Sequence, residues 1–519
     1  MNLPELFAES FVKRGDAIGL EFDGREYSFA ELDRRSNRLA RRWLEDGFRP
    51  GDRVAVYLRN SIELIDAYLA AVKIGLVFTP INILYREREI AYILQDAEPR
   101  GLVVSRDHDG VVRPGLRGRN EPHLYFAEDL EEMARHYPSV PPPCPADADT
   151  VAALIYTSGT TGRPKGAMLT HGNFAANARN LIESWRITAE DRLLLALPLF
   201  HVHGLGNGLH TWLAAGYRLR LLERFRKEAI LGEFLDFRPT IFFGVPTMYE
   251  RLLAAPPDTA RRIGGFMRLF VSGSAALPAH TLKRFAERYG HVILERYGMT
   301  ETLMNLSNPY DGERRPGSVG LPLPRVSVRL GDPETGEARD ERDSGEIQIK
   351  GPNVFGGYWR RPDATAEAFT EDGWFRSGDL AFRSADGYYT LQGRRTELII
   401  TGGFNVYPRE VEEFLEEQPE VAEAAVVGAP DPVKGEVPVA FVAPASGARV
   451  DPEALQRRCR DHLASFKVPR RFIRVDELPR NALGKIQRHR LPAVATVAHE
   501  QPGGQAPSGK AGESFAAGE

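Results

Sequence analysis

Length, composition and charge exclude several classes of protein. The chain has 519 residues, 42% of them hydrophobic, which is ample for a large core and predicts three or four folded units. A formal net charge of -4 does not suit a protein that coats a polyanion, and two cysteines, Cys144 and Cys459, are too few for a disulfide scaffold. With no long apolar run and no signal-peptide pattern, we expect a cytoplasmic protein without a membrane span.

The first third of the chain alternates strand and helix patterns. RVAVYL, residues 53–58, predicts a buried strand, and Asn60 with Glu63 three residues later resembles a helix cap. A helix is therefore predicted from about Ser61 to Gly75. LVFTPI, REREIAYILQDAE and GLVVS then predict strand, helix and strand. Alternation of this kind indicates an α/β layer fold.

The pattern continues and then changes character. VAALIY, RLLLAL, TIFFGV and MRLFVSG predict further strands, while frequent glycine and proline from Gly317 to Asp379 indicate a β-rich subdomain. Past Gly393, the helix YPREVEEFLEE, the strands AEAAVVG and VPVAFVA, a helix after Asp451 and the strand RFIRV predict a compact α+β unit. The last residues, 493–519, have few large apolar side chains, so we expect a disordered tail.

The stretch IYTSGTTGRPKGAM, residues 155–168, combines glycines, hydroxyl side chains and one lysine. Glycine lets backbone N–H groups approach a ligand closely, hydroxyls donate hydrogen bonds, and lysine adds a positive charge, so the composition indicates phosphate binding. The spacing is not that of a Walker A loop, because Lys165 lies three residues after Gly162. A flexible surface turn explains the glycines but not the hydroxyls beside a lysine.

YTSGTTGRPKG resembles the phosphate loop of the adenylate-forming enzymes, which include acyl-CoA synthetases, luciferases and peptide-synthetase adenylation domains. Six further motifs resemble that family in order: LPLFHVHG, SGSAAL, YGMTE, GWFRSGDL, GRRTELIITGGFNVYPREVE and PRNALGK. The resemblance runs from Glu5 to Leu491. It implies a large N-terminal AMP-binding domain, 1–395, of layered α/β subdomains with a β-rich subdomain. A small mobile α+β C-terminal domain, 396–492, follows a hinge near Thr396.

The resemblance also implies the residues of the first step, in which a carboxylate displaces pyrophosphate from ATP. The phosphate positions are Thr157, Ser158, Gly159, Thr160, Thr161, Gly162 and Lys165. Thr300 would contact the α-phosphate and Glu301 would bind Mg²⁺, a cation that needs few protein ligands. Tyr297 would stack on adenine, and Gly273, Ser274 and Ala275 would form the adenine wall. Asp379 and Arg394 would hold the ribose, and Lys485 would be the catalytic lysine.

Each assignment has a simpler competitor. Glu301 could be an acid at a helix start and Tyr297 a packed core residue. Asp379 could be a turn residue, Arg394 a surface ion-pair partner and Lys485 an exposed lysine. The motif context favours the catalytic interpretation in each case.

A second step is implied in which the thiol of coenzyme A attacks the acyl-adenylate. The small domain swings between the steps in this family, and the loop TGGFNV, with Gly402 and Gly403, then helps to form the thiol tunnel. The hinge residue here is Thr396, where many relatives carry Asp or Lys. His201 matches the family histidine at the junction of acyl group and thiol. His201 and His203 could alternatively be zinc ligands, but the sequence shows no third ligand.

Within the family, the stretches GVPTMYERLL, LFVSGSAALP, LERYGMTETLMNLSNPYDGERRPGSVG and GPNVFGGYW resemble malonyl-CoA synthetases. A dicarboxylate brings a second negative charge into the acyl pocket, which is costly to bury unpaired. Arg251 is the predicted partner of that charge, although a surface arginine is an equal interpretation on chemistry alone. Val202, Ser274 and Met304 are predicted to close a small pocket.

The predicted function is therefore ATP- and Mg²⁺-dependent ligation of malonate, or methylmalonate, to coenzyme A. A medium- or long-chain fatty or aromatic acyl-CoA synthetase is the alternative enzyme. A non-catalytic nucleotide-binding module or an adenylation domain serving a carrier protein is the alternative of another class. We expect a monomer or homodimer whose partners are the acid, ATP and coenzyme A, with no nucleic acid.

Overall fold

The computed structural model describes residues 1–116, 121–157, 164–338, 344–401, 404–432, 434–481 and 484–491. The chain divides into two compact units. The larger contains Met1–Thr396 and Pro479–Gln487, and the smaller contains Glu397–Leu478 and the residues from Arg488 onward. Among the described residues, none of the helices has the length and apolar character needed to cross a membrane. Both cysteines are free.

The N-terminal part of the larger unit confirms the predicted strand–helix alternation. Its elements, in chain order, are α1 Leu3–Lys13, β1 Ile18–Phe22, β2 Arg25–Ser28, α2 Phe29–Glu45, β3 Arg53–Tyr57, α3 Ile62–Lys73, β4 Val77–Pro80, α4 Glu87–Ala97, β5 Gly101–Val104, α5 Asp109–Leu116, β6 His123–Phe126, α6 Leu130–Ala134, β7 Val151–Thr157 and β8 Lys165–Thr170. Strands β6, β5, β3, β4 and β7 are parallel neighbours in that order, and β8 pairs antiparallel with β7. This six-stranded sheet therefore carries the predicted phosphate loop between its last two strands.

The start of α3 differs from the prediction. Ser61, not Asn60, is its N-cap, and the Ser61 hydroxyl accepts a hydrogen bond from the Leu64 N–H at 3.2 Å. Asn60 is buried and donates to the backbone carbonyls of Leu197 and Leu222 at 2.9 and 3.0 Å. The prediction failed because the capping atom of Asn60, its side-chain oxygen, accepts a hydrogen bond from the distant Leu199 N–H at 2.8 Å. The neighbouring serine is an equally good cap.

The rest of the larger unit extends a second sheet. Its elements are α7 His171–Ser184, β9 Arg192–Leu195, α8 His210–Ala215, β10 Arg218–Leu221, α9 Ile230–Phe237, β11 Ile241–Gly244, α10 Pro246–Leu252, α11 Pro257–Gly264, β12 Leu269–Ser272, α12 Ala279–Tyr289, β13 Leu294–Met299, β14 Leu303–Ser307, β15 Ser318–Pro322, β16 Ser327–Gly331, β17 Ser344–Lys350, α13 Pro362–Glu367, β18 Phe375–Arg383 and β19 Tyr389–Arg394. Parallel strands β13, β12, β11, β9, β10 and β1 form its centre. Antiparallel strands β14–β19 continue it, which confirms the predicted β-rich segment.

The smaller unit has its own sheet and core. Its elements are β20 Ile399–Thr401, β21 Phe404–Val406, α14 Pro408–Glu416, β22 Val421–Asp431, β23 Gly435–Pro444, α15 Pro452–His462 and β24 Arg471–Arg474. The apolar faces of α14 and α15 pack on the sheet through residues such as Val411, Leu415 and Leu455. One feature differs from the predicted continuous domain 396–492, because Pro479–Gln487 groups with the larger unit. The predicted disordered tail lies outside the described residues.

Candidate active site

Four neighbouring parallel strands bring distant parts of the chain to one edge of the large sheet. Strands β13, β12, β11 and β9 lie side by side in register. Thr300 follows β13, Gly273 follows β12, Thr247 follows β11 and His201 follows β9. The carboxyl ends of parallel strands meet at the same edge, where ligands of open α/β sheets bind. The topology therefore gathers residues from four predicted motifs.

Tyr297, Asp379 and Arg394 form one hydrogen-bonded group. Asp379 on β18 and Arg394 on β19 are direct cross-strand partners, and the Arg394 Nε lies 2.7 Å from the Asp379 Oδ1. The Tyr297 hydroxyl donates to the Asp379 Oδ2 at 2.5 Å, and burial beside that carboxylate raises the pKa of Tyr297. Each carboxylate oxygen keeps a second lone pair, so the group can still accept hydrogen bonds from a ligand hydroxyl.

Glu301 is a buried carboxylate with a tyrosine partner that the sequence analysis did not identify. Burial raises the pKa of Glu301, and only 6% of the residue is exposed. The Tyr358 hydroxyl donates to the Glu301 Oε1 at 2.9 Å. The Lys165 Nζ lies 5.2 Å from the centre of the Tyr358 ring, within cation–π range. Thr300, beside Glu301, is also buried. Tyr358 thus joins the predicted phosphate-binding lysine to the predicted metal-binding glutamate.

The glycine-rich loop between β7 and β8 is described only at its two ends. The Thr157 hydroxyl donates to the Lys165 carbonyl at 3.4 Å across the base of the hairpin. The predicted phosphate ligands Ser158, Gly159, Thr160, Thr161 and Gly162 lie outside the described residues, as do Gly402 and Gly403 of the predicted thiol loop.

His201, His203 and Ser274 form a hydrogen-bonded group that includes two predicted acyl-pocket residues. The His203 Nδ1 lies 3.1 Å from the Ser274 Oγ, and the His203 backbone N–H donates to the His201 Nδ1 at 3.1 Å. Ser274 has φ = 71°, a left-handed conformation that places its hydroxyl beside the histidine. Burial and the charge of Arg296 lower the pKa of His201 to about 4, and they lower the pKa of His203 further. Both imidazoles are therefore neutral at physiological pH.

Arg296 is the charge in this group, and it lies under the predicted adenine wall. A Cβ placed on Gly273 would be 2.3 Å from the Arg296 Cζ, so only glycine allows the two to pack. Arg296 is 3% exposed, and its Nε and Nη2 atoms are buried without a hydrogen-bond partner in the part of the chain that the structure describes. Burial lowers the pKa of this guanidinium to about 9. A desolvated cation of this kind is suited to an anionic ligand.

The predicted pocket residues lie at different depths. Val202 and Met304 are buried, each 1% exposed. Arg251 is exposed on α10, with its guanidinium 5.8 Å from the Phe225 ring, and none of its described contacts joins it to Ser274 or the histidines. Thr247, one helical turn earlier on α10, faces the turn of Lys485, described next. The role of Arg251 stays a prediction.

Lys485 lies in an exposed turn of the segment that groups with the larger unit. The Lys485 backbone N–H donates to the Asn481 Oδ1 at 3.0 Å, and Arg480 and Ile486 form a β-bridge across the turn. A Cβ on Gly484 would be 3.0 Å from the Thr247 Oγ1, so the turn packs closely on the start of α10. The lysine-bearing turn is therefore held at the same strand edge as the other predicted residues.

No group of three or more His, Cys, Asp or Glu side chains that could hold a metal ion occurs among the described residues. A zinc site at His201 and His203 has no further ligand there. Magnesium does not need such a cluster, since one or two carboxylates and the substrate phosphates usually bind it. The buried hard oxygens of Glu301 therefore fit Mg²⁺ better than the imidazoles fit zinc.

Sequence reasoning missed two residues of this site, Arg296 and Tyr358. Arg296 stands in LERYGM, directly before the predicted adenine contact Tyr297. A charged residue inside a strand whose neighbours are buried was the available signal. Tyr358 follows two glycines in GPNVFGGYW, a stretch that resembles malonyl-CoA synthetases but in which no residue was given a role. Only the tertiary contact with Glu301 identifies it.

Comparison with known protein families gives two matches. Residues 7–359 match the AMP-binding enzyme family, and residues 410–485 match the AMP-binding enzyme C-terminal domain. The crystal structure of ATP-bound MatB from Rhodopseudomonas palustris is similar with a TM-score of 0.89 and 42% identity, covering 95% of this chain and 98% of that chain.

Three curated relatives differ in the acid that their names give. The sulfoacetate–CoA ligase of Cupriavidus necator is 38% identical over 476 residues, covering 90% of this chain and 92% of its own. The feruloyl-CoA synthase of an Amycolatopsis species is 38% identical over 477 residues, covering 91% and 94%. The mitochondrial malonate–CoA ligase of Mus musculus is 36% identical over 515 residues, covering 92% and 88%. Sequence similarity alone therefore does not identify the acid, and the residues of the site must be considered.

Proposed function

This chain belongs to the AMP-binding enzyme family and is an acid–CoA ligase, and from that premise we propose that its acid is malonate. In the proposed reaction a malonate carboxylate oxygen attacks the α-phosphorus of ATP and pyrophosphate leaves. The thiol of coenzyme A then attacks the acyl carbon, and AMP leaves as malonyl-CoA forms. Methylmalonate is a close competitor, since one methyl group is worth only about 1–3 kcal/mol in a pocket.

The described residues support distinct proposed roles in the first step. Lys165 supplies positive charge beside the phosphate loop, and Glu301 would hold Mg²⁺, which neutralises phosphate charge. Asp379 and Arg394 offer a fixed carboxylate and guanidinium to the ribose. Lys485, on its turn against Thr247, would contact the acid and the α-phosphate as negative charge develops.

The adenine and domain assignments involve Tyr297 and Thr396. Tyr297 would provide a buried ring beside the Gly273–Ala275 wall, although its hydroxyl already bonds to Asp379. We propose in addition that Thr396, where the described chain passes between its two compact units, is the hinge of the small domain.

The observation that favours an acid with a second anionic group is the buried guanidinium of Arg296. Two of its nitrogens have no described hydrogen-bond partner, and its charge acts on His201 and His203. The guanidinium packs against Gly273, the residue before Ser274. His201 and Ser274 are predicted acyl-pocket residues. The neutral histidines cannot compensate the charge. A second carboxylate on the acid can, through hydrogen bonds to a desolvated cation, which are roughly twice as strong as neutral ones. A monocarboxylic fatty or aromatic acid would leave Arg296 without that partner.

The relatives support the same chemistry in two cases out of three. Malonate and sulfoacetate are both short acids with a second anion, a carboxylate in one and a sulfonate in the other. Ferulate is aromatic and has no second acidic group of that strength. Sulfoacetate is therefore the second candidate, supported by the identity to the Cupriavidus enzyme.

A substrate panel tests the proposal. AMP release is measured with ATP, Mg²⁺ and coenzyme A against malonate, methylmalonate, sulfoacetate, acetate, octanoate and ferulate. We expect kcat/KM for malonate to exceed that for acetate by about a hundredfold or more, the value of one buried charged hydrogen-bond pair. If octanoate or ferulate were the best acid, the proposal that the acid carries a second anionic group would be refuted. If sulfoacetate were the best acid, the role of Arg296 would stand and malonate would be replaced as the substrate.

A further inference from the structure

The segment Phe355–Trp359 is hydrogen-bonded along β8, the strand that begins at Lys165. Met168 exchanges backbone hydrogen bonds with Gly356 and Gly357 at 3.1 and 3.0 Å, and the Trp359 N–H donates to the Gly166 carbonyl at 2.8 Å. The Phe355 N–H donates to the Glu301 carbonyl at 2.8 Å. One short segment thus links the phosphate-side strand to the backbone of the predicted metal ligand.

Tyr358 is held rigidly within this segment. Its backbone N–H donates to the Thr365 Oγ1 at 2.9 Å, and its ring packs edge-on against Phe355 with centroids 4.9 Å apart. Gly357 before it has φ = 118° and leaves no room for a Cβ, which would stand 2.7 Å from Thr365. The direction of the tyrosine side chain is therefore fixed by the protein before any ligand binds.

The two parts of that side chain contact two groups of opposite charge. The hydroxyl donates to the Glu301 Oε1 at 2.9 Å, and the ring face lies 5.2 Å from the Lys165 Nζ. A hydrogen bond to one carboxylate oxygen orients the carboxylate and leaves the other oxygen turned elsewhere. A ring under an ammonium group restrains where a long, flexible lysine can point.

We propose that Tyr358 is a positioning residue for the activation of the acid by ATP, setting the orientation of Glu301 through its hydroxyl and that of Lys165 through its ring. The inference rests on the proposed function, because it takes Glu301 and Lys165 as the metal-side and phosphate-side groups. Groups that orient a metal ligand through hydrogen bonds change affinity or activity by about 10–100-fold when removed.

Two substitutions separate the hydroxyl from the ring. Tyr358→Phe removes only the donor to Glu301, and Tyr358→Leu removes the ring from Lys165 as well. Tyr125→Phe is the matched control, because the Tyr125 hydroxyl also donates to a carboxylate, Asp46 Oδ2 at 2.8 Å. Tyr125 lies on β6, at the edge of the six-stranded sheet opposite to β8. Thermal unfolding of all three variants shows whether each retains the fold.

Two measurements are made on the full chain. Calorimetric titration gives the affinity for ATP with EDTA and with saturating Mg²⁺, and needs no turnover. Pyrophosphate release against Mg²⁺ concentration gives the half-saturating Mg²⁺, kcat and the KM for ATP. We expect Tyr358→Phe to raise the half-saturating Mg²⁺ by about 10–100-fold while affinity in EDTA stays within about threefold. Tyr358→Leu should also weaken affinity in EDTA, by about three- to tenfold.

The opposite results are equally definite. The proposal would be overturned if Tyr358→Phe showed the same Mg²⁺ dependence as Tyr125→Phe. It would also be overturned if Tyr358→Phe lost ATP affinity equally in EDTA and in Mg²⁺. If wild-type protein activates no acid, the proposed function fails. The calorimetric arm then still decides the role of Tyr358, because it compares the Mg²⁺ contribution to ATP binding without a reaction.

Discussion

Arg296→Met removes the one guanidinium on which the choice of malonate depends, and it should have opposite effects on stability and activity. Methionine has a similar length and no charge, so it can fill the space against Gly273. Arg251→Met, at the exposed arginine of α10, is the comparison variant because the sequence alone favoured that residue.

The magnitude follows from the burial of Arg296. Its pKa falls to about 9, and at about 1.4 kcal/mol per pH unit the fall corresponds to roughly 5 kcal/mol of destabilisation in the ligand-free fold. A cation whose pKa is lowered by folding carries this cost at every pH below about 9 and loses it as the pH rises above that value. Since methionine also loses the electrostatic attraction between Arg296 and Glu295, we expect a gain of about 1–4 kcal/mol in unfolding free energy at pH 7. The gain should shrink at higher pH.

The activity should change in the other direction. Loss of a buried charged partner costs about 2–5 kcal/mol, so kcat/KM for malonate should fall by about 30- to 5000-fold, while that for acetate should change little. Denaturant unfolding at pH 7 and 10 and AMP-release kinetics with both acids give the two results. An equal loss for malonate and acetate, or a less stable variant at pH 7, would refute the reasoning. If only Arg251→Met lost activity selectively with malonate, Arg251 and not Arg296 would be the partner of the second carboxylate, as the sequence alone predicted.

Two further predictions address the chemical steps. Lys485→Ala should abolish adenylate formation and spare the attack of coenzyme A on supplied malonyl-adenylate. Separate assays of pyrophosphate release and thioester formation measure the two steps. An equal loss in both steps would contradict a role for Lys485 in the first step alone. Because burial and Arg296 lower the pKa of His201 to about 4, His201 should stay neutral above pH 5, so thioester formation from supplied adenylate should show no ionisation near pH 6.5. A limb near pH 6.5 that disappears in His201→Asn would contradict the lowered pKa.

Much of this protein follows from local patterns. Strands such as β3, β11 and β12 are short, apolar runs bounded by turn residues, and the α15 cap at Asp451 is a local hydrogen bond, so each could be read from a few residues. Seven motifs in order also sufficed to identify the family, because each preserves a spacing that its chemistry requires. Asn60 shows the limit, since its side-chain oxygen accepts from the distant Leu199 N–H rather than from the helix beside it.

Only the tertiary structure decided which charged side chains are buried and which polar side chains contact one another. Arg296 and Arg251 both resemble ordinary arginines in the sequence, yet parallel pairing of β12 and β13 buries the first against Gly273, while the second stands exposed on α10. Tyr358 gains its contacts with Glu301 and Lys165 because its segment pairs with a strand nearly two hundred residues earlier in the chain. Burial away from water and pairing between distant strands determine the environment of these side chains. Neither can be inferred from the spacing of neighbouring residues.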